Sequence, residues 1–114
     1  MKEAAAKLRL ADKVDIRLKP RKSPYMQSFA VEESHELVEA LRKNFEAVTG
    51  RFLPVSYDPS VCDSNILAVQ LGIPVVTFGP SGGNMHGDNE YGIPEQVSQA
   101  LEIYIRTVKD MLAA

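Results

Sequence analysis

Pro74-Val75-Val76-Thr77-Phe78 runs directly into Gly79-Pro80-Ser81-Gly82-Gly83-Asn84-Met85-His86-Gly87-Asp88-Asn89-Glu90-Tyr91, and this junction decides the fold class. The first five residues are nearly all apolar and β-branched, the composition of a strand buried on both faces of an α/β sheet. The next thirteen are glycine-rich and polar, which reads as a loop at the strand's C-terminal end. Open α/β sheets place their sites there.

Outward from the junction, the periodicity turns helical. Pro94 suits a first helical turn. Val97, Ala100, Leu101, Tyr104, Ile105, Val108, Met111 and Leu112 make an apolar stripe, which predicts a long C-terminal helix. Before the junction, residues 65–71 read as a short helix closed by Gly72. Asp58-Pro59-Ser60 is a turn. Residues 52–57 are a strand weakened by Pro54. Leu37, Leu41, Phe45 and Val48, with Val38 beside them, define a helix from about residue 32. Glu32 and Glu33 suit its positive N-terminal end and Gly50 its stop.

Further out, Val14, Ile16 and Leu18 alternate with Asp15, Arg17 and Lys19, the period-2 mark of a half-buried strand. Residues 2–10 read as a short helix, and the string Lys2-Glu3-Ala4-Ala5-Ala6-Lys7 also fits a helical spacer. Pro20 and Pro24 bracket a stiff linker. The order is helix, strand, linker, then helix–strand–helix–strand–helix, the grammar of an α/β layered sheet. One strand ahead of the linker leaves both edges unpaired, so it must join a partner inside or outside this chain.

The composition narrows the function classes. The 114 residues are 45% hydrophobic and 25% charged, as expected of a globular domain. No run of apolar residues is long enough for a membrane span, and the N-terminus lacks the apolar core of a secretory signal. Cys62 is the single cysteine. It forms no intrachain disulfide, which points to a reducing cytoplasm and a small packed side chain. Net charge is −2, yet residues 1–24 carry eight Lys/Arg against three acids and the remainder five against twelve. The basic residues alternate with apolar ones as on the wet face of a strand, and no aromatic is interleaved to stack bases. Nucleic acid is therefore not the expected partner.

Within the loop, Gly82 and Gly83 allow close backbone approach to a ligand or an anion. His86 is the candidate metal ligand, and Glu90 would fix the loop or the histidine. One histidine does not make a zinc site, which takes three or four protein ligands. His35, on a glutamate-rich helix, reads as a solvated side chain.

The stretch from Ser60 through Asp63, Gly72, Pro74, Gly79-Pro80, Gly82-Gly83-Asn84 and His86 to Glu90-Tyr91 resembles the C-terminal region of the M20 peptidases. That family includes acetylornithine deacetylase, succinyl-diaminopimelate desuccinylase and carboxypeptidase G-type enzymes. The resemblance runs from about residue 12 to the end and implies the following. His86 matches a C-terminal histidine that binds one of two divalent ions, zinc or cobalt. Gly82, Gly83 and Asn84 lie where the loop approaches a substrate carboxylate. Asp63 matches an aspartate with a structural or site-shaping role. Residues 1–24 correspond to the end of a lid or dimerisation domain with its hinge, and residues 25–114 to the C-terminal part of an α/β catalytic domain.

The departures are as informative. The N-terminal His-x-Asp, the bridging Asp, the Glu-Glu pair and the further acidic ligand of the family have no counterpart, since Glu32-Glu33 open a helix elsewhere in the chain. The general base and most metal ligands are absent, so no catalytic residue is assigned. The expectation is a fragment of a hydrolase of N-acyl amino acids or small peptides, inactive as this chain alone. The alternative is a non-catalytic binding module that pairs its exposed strands with a second copy.

Overall fold

The computed structural model describes residues 2–9, 13–17, 19–20 and 26–113. Four helices are present among them: α1 (Lys2–Lys7), α2 (Glu36–Thr49), α3 (Ser64–Leu71) and α4 (Pro94–Ala113). One two-stranded antiparallel sheet pairs β1 (Gly82–Gly83) with β2 (Tyr91–Gly92), in the register Gly82↔Gly92 and Gly83↔Tyr91.

α2 and α4 form the packed core. Val38 and Leu41 of α2 meet Ala100 and Ile103 of α4, and these four are the buried hydrophobic residues among those described. Asn44 lies within this apolar contact. Its Nδ2 donates to the Ala40 carbonyl at 2.9 Å and to Asp110 Oδ2 at 3.0 Å. Lys43 Nζ reaches the same Asp110 oxygen at 3.0 Å, so one carboxylate of α4 is held by two residues of α2. These donors, Lys43 first and then Asn44, hold the Asp110 carboxyl below its usual value.

The caps explain the helix limits. Gly50 and Gly72 adopt left-handed conformations, with φ of 67° and 65°, and close α2 and α3; glycine takes this conformation without a Cβ penalty. The N-cap of α2 is His35, whose Nδ1 accepts from the Leu37 amide at 3.1 Å. That corrects the expectation of a solvated histidine, since the half-buried ring fills the place usually taken by Ser, Thr, Asp or Asn. α4 begins at Pro94 as predicted, but its apolar stripe divides. Ile103, outside the stripe as read, is fully buried, whereas Val97, Leu101, Val108 and Leu112 are exposed.

The expected strands are the main disagreement. Residues 14–17, 52–57 and 74–78 form no ladder among the described residues. Leu18 and residues 21–25 of the expected strand and linker lie outside the described residues. The sequence has the side-chain pattern of strands, but a strand exists only when a neighbour supplies the hydrogen bonds. The fold is thus a mixed arrangement of helices with one small antiparallel sheet, compatible with a fragment of an α/β domain.

Segment 74–78 is nonetheless anchored. The Phe78 ring stands edge-on to Phe45 of α2 and Tyr104 of α4, with centroids 6.2 and 5.6 Å apart, a favourable aromatic geometry. The Tyr104 hydroxyl donates to the Phe78 carbonyl. Asn65, buried at the start of α3, donates to the Gln27 carbonyl at 2.9 Å and accepts from the Cys62 amide at 3.0 Å. A cleft of about 710 Å³ lies between segments 26–31, 53–62 and 75–78 and the Val38–Leu41 face of α2.

Candidate functional site

The loop joining 74–78 to α4 is built by its glycines. A Cβ at Gly82 would stand 2.0 Å from the Tyr91 carbonyl oxygen, and one at Gly83 would stand 2.7 Å from the Tyr91 hydroxyl oxygen. At Gly82, where the atom met is backbone, only glycine lets the two limbs of the loop approach this closely. Below the β1–β2 pair, the Ile93 amide donates to the Ser81 carbonyl at 3.1 Å, and the Ser81 amide donates to Gln96 Oε1 at 2.8 Å. The stem is therefore fixed to the first turn of α4.

Residues 84–90 project from this stem with His86 in the middle. Asn84 and His86 both have positive φ, 56° and 62°, a conformation that disfavours residues with a side chain and costs on the order of 1–3 kcal/mol each. Local hydrogen bonds sustain it. The Gly87 amide donates to the Asn84 carbonyl at 2.8 Å, and the Glu90 amide to the Gly87 carbonyl at 3.2 Å. The Asn84 side chain packs over Gly87, where a Cβ would meet it at about 2.5 Å.

Glu90 Oε2 accepts from the His86 backbone amide at 3.4 Å. Glu90 thus holds the main chain of the loop, and the His86 imidazole is exposed. Gly82, Gly83, Asn84, His86 and Glu90 are brought into one loop, as the sequence predicted. Asp63 is apart from them. It is the N-cap residue of α3, its side chain makes no cap bond, and its carbonyl accepts from the Ile66 and Leu67 amides.

Cys62 departs from the expectation of a packed side chain. It is exposed, with Sγ 2.7 Å from the Ser64 hydroxyl. Two residues that hold the site carry no sequence signal for that role: Gln96, which grips Ser81, and Tyr104, which grips Phe78. Both sit in a helix whose pattern reads only as apolar or polar, so nothing in it announces these bonds. The string His86-Gly87-Asp88 has the His-x-Asp spacing, yet it lies in this C-terminal loop, where no N-terminal motif of the family would be.

The fit to a metal can be tested on the donors present. Among the described residues, no three His, Cys, Asp or Glu side chains converge on a point that would hold an ion. One exposed imidazole falls short of the three or four protein ligands that zinc takes. The described residues therefore do not fit a resident metal by themselves, and no reaction step is derived through one. Neither the 26–78 cleft nor the shallow groove along α4 includes residues 79–92. No helix among the described residues is long and apolar enough to cross a membrane.

The glycine-pinched loop thus carries one exposed histidine ahead of an amphipathic helix, an arrangement compatible with a fragment of an α/β domain. Residues 9–110 match the sequence model of Peptidase family M20/M25/M40, and the chain belongs to that family. No solved structure matches it.

Proposed function

We propose that this chain is the C-terminal part of the catalytic domain of a divalent-metal amide hydrolase, with His86 contributing one ligand to a site completed by residues outside the chain. The family match over residues 9–110 carries this reading. The loop geometry supports it, because a backbone braced at both ends holds the His86 side chain exposed at its tip.

The ions of such a site would be zinc or cobalt, with His86 as this chain's one ligand and the others supplied from outside it. What this chain itself contributes is positional. The stem of β1 and β2 aims the loop. Gly82, Gly83 and Asn84 would present backbone to the carboxylate of an N-acyl amino acid or small peptide. Residues 1–24 would belong to a lid or dimerisation domain and its hinge, and residues 25–114 to the catalytic domain. The lone Cys62 fits a reducing compartment such as the cytoplasm.

Titration calorimetry with zinc or cobalt, comparing the wild-type chain with His86→Ala, tests the assignment. The expected result is weak binding in the wild type that is lost in the variant; equal binding in both would remove His86 from the metal site. The isolated chain is expected to show no turnover of N-acyl amino acids, because the general base is missing. A second reading, a non-catalytic oligomeric module, draws on the apolar surface that α4 leaves exposed.

A further inference from the structure

We infer that His35 is a pH-sensitive cap. As a neutral imidazole it closes the start of α2; on taking up a proton it releases the Leu37 amide and turns to a neighbouring carboxylate. Its backbone is extended, with φ −66° and ψ 137°. Its carbonyl accepts from the Val38 and Glu39 amides at 2.8 and 3.1 Å. Nδ1, 3.1 Å from the Leu37 amide, stands where a cap oxygen accepts from the second residue of a helix.

The acceptor atom separates this cap from the usual ones. The oxygen of Ser, Thr or Asn keeps its lone pairs at every ordinary pH. A ring nitrogen that accepts must be unprotonated, so the bond requires the neutral ring with its proton on Nε2. Imidazolium carries a proton on both nitrogens and accepts nothing. It also sets a positive charge against the positive end of the α2 dipole. Histidine is the side chain that changes charge between about pH 5 and 8, so the cap is conditional where an oxygen cap is permanent.

The surrounding charges determine what replaces the bond. Glu32, Glu33, Glu36 and Glu39 flank the ring along the chain. Glu33 is held by Arg42 at 2.6 Å, while Glu32, Glu36 and Glu39 are exposed. α4 meets α2 through Ala100, Ile103 and Thr107, which are uncharged. Its Asp110 is bound by Lys43 and Asn44 further along α2, and its Glu102 is paired with Arg106. On the cleft side the charged residue is Asp58, which accepts from the Ser60 amide at 2.8 Å. Protonation therefore exchanges the cap for an ion pair of His35 with Glu32, Glu36 or Glu39. The loss and the gain oppose each other, so the entry to α2 rearranges while the fold as a whole keeps its stability.

Two anchors confine the movement. The His35 amide closes a turn onto the Glu32 carbonyl at 3.0 Å, and that turn continues segment 26–31, one wall of the 710 Å³ cleft. Upstream, the Gln27 carbonyl stays tied to Asn65 at 2.9 Å; downstream, Val38 is buried against α4. The stretch between them is what the proton frees. None of residues 79–92 takes part, so this inference stands or falls separately from the metal reading.

The test is an NMR titration of the full 114-residue chain from about pH 8 to pH 5, the range in which histidine changes charge. At the upper end the His35 ring should carry its proton on Nε2. As the ring titrates, the Leu37 amide should shift with the same midpoint and lose about fivefold of its exchange protection, the loss that an ordinary cap supports. Helical circular dichroism should hold throughout. In His35→Asn the cap persists and the Leu37 step should vanish; in His86→Ala the step should remain. A His35 ring protonated on Nδ1 at pH 8 overturns the proposal, as does a Leu37 amide that ignores the His35 titration. A step that survives His35→Asn also overturns it, and so does a general loss of helix over the same range, which would make the change global.

Discussion

The α2–α4 pair is about half polar and the segment 74–78 nearly all apolar, yet the pair is packed secondary structure and the segment is not. α2 and α4 satisfy their backbone groups internally and need only one partner face for their side chains, which each gives the other. Segment 74–78 needs hydrogen bonds from neighbouring strands, and among the described residues none is offered. Side-chain contacts dock it instead, through the edge-on stacking of Phe78 between Phe45 and Tyr104. A helix is thus a local solution to the backbone, and a strand is a collective one.

The sharpest way to break this comparison is to attack the packed pair. Ile103 is fully buried between α2 and α4, and Ile103→Ala should cost about 2–5 kcal/mol. With so few buried residues, that is expected to abolish cooperative urea unfolding monitored by circular dichroism. An unchanged transition would mean that the helix pair is not what holds the chain together.

A smaller and more local effect is expected at the loop. In Gly82→Ala the new Cβ meets the Tyr91 carbonyl oxygen, so β1 and β2 should part while α2 and α4 remain. NMR should then show shifted resonances for His86 and Tyr91 with helix signals in place. Loss of the helices together with the loop would show that the two regions are not independent.

The smallest effect concerns pH. The hydrogen bonds from Lys43 and Asn44 lower the folded-state value of Asp110 below its ordinary 3.8. A depressed carboxyl value stabilises the folded state in full above the unfolded value, and the contribution disappears as pH falls through the folded one. Thermal stability should therefore drop as pH is lowered below about 4, and Asp110→Asn should flatten that drop. An equally steep drop in the variant would assign it to other carboxylates.

Much of the loop is legible in the sequence. The glycines at 82 and 83, the histidine at 86 and the glutamate at 90 lie close together along the chain, and a short loop keeps them close in space. Asp63 and Cys62 are less legible. Whether a side chain points into a cap, a core or solvent depends on what the chain lays beside it. Cys62 has the composition of a core residue, yet it is exposed because little of the fold covers it. His35 escapes a reading by pattern because an imidazole is an unusual N-cap, and only its Nδ1 contact with the Leu37 amide gives it that role.

By itself the sequence determined the two long helices, the glycine stops of α2 and α3, the family resemblance, and the loop that carries His86, because periodicity, caps and short loops are local properties of the chain. Only the tertiary structure decided which arc of α4 is covered, with Ile103 inside and Leu101 outside, and that 74–78 stands without a sheet. An apolar pattern states a need for burial or pairing, but only the rest of the fold can supply the surface that meets it.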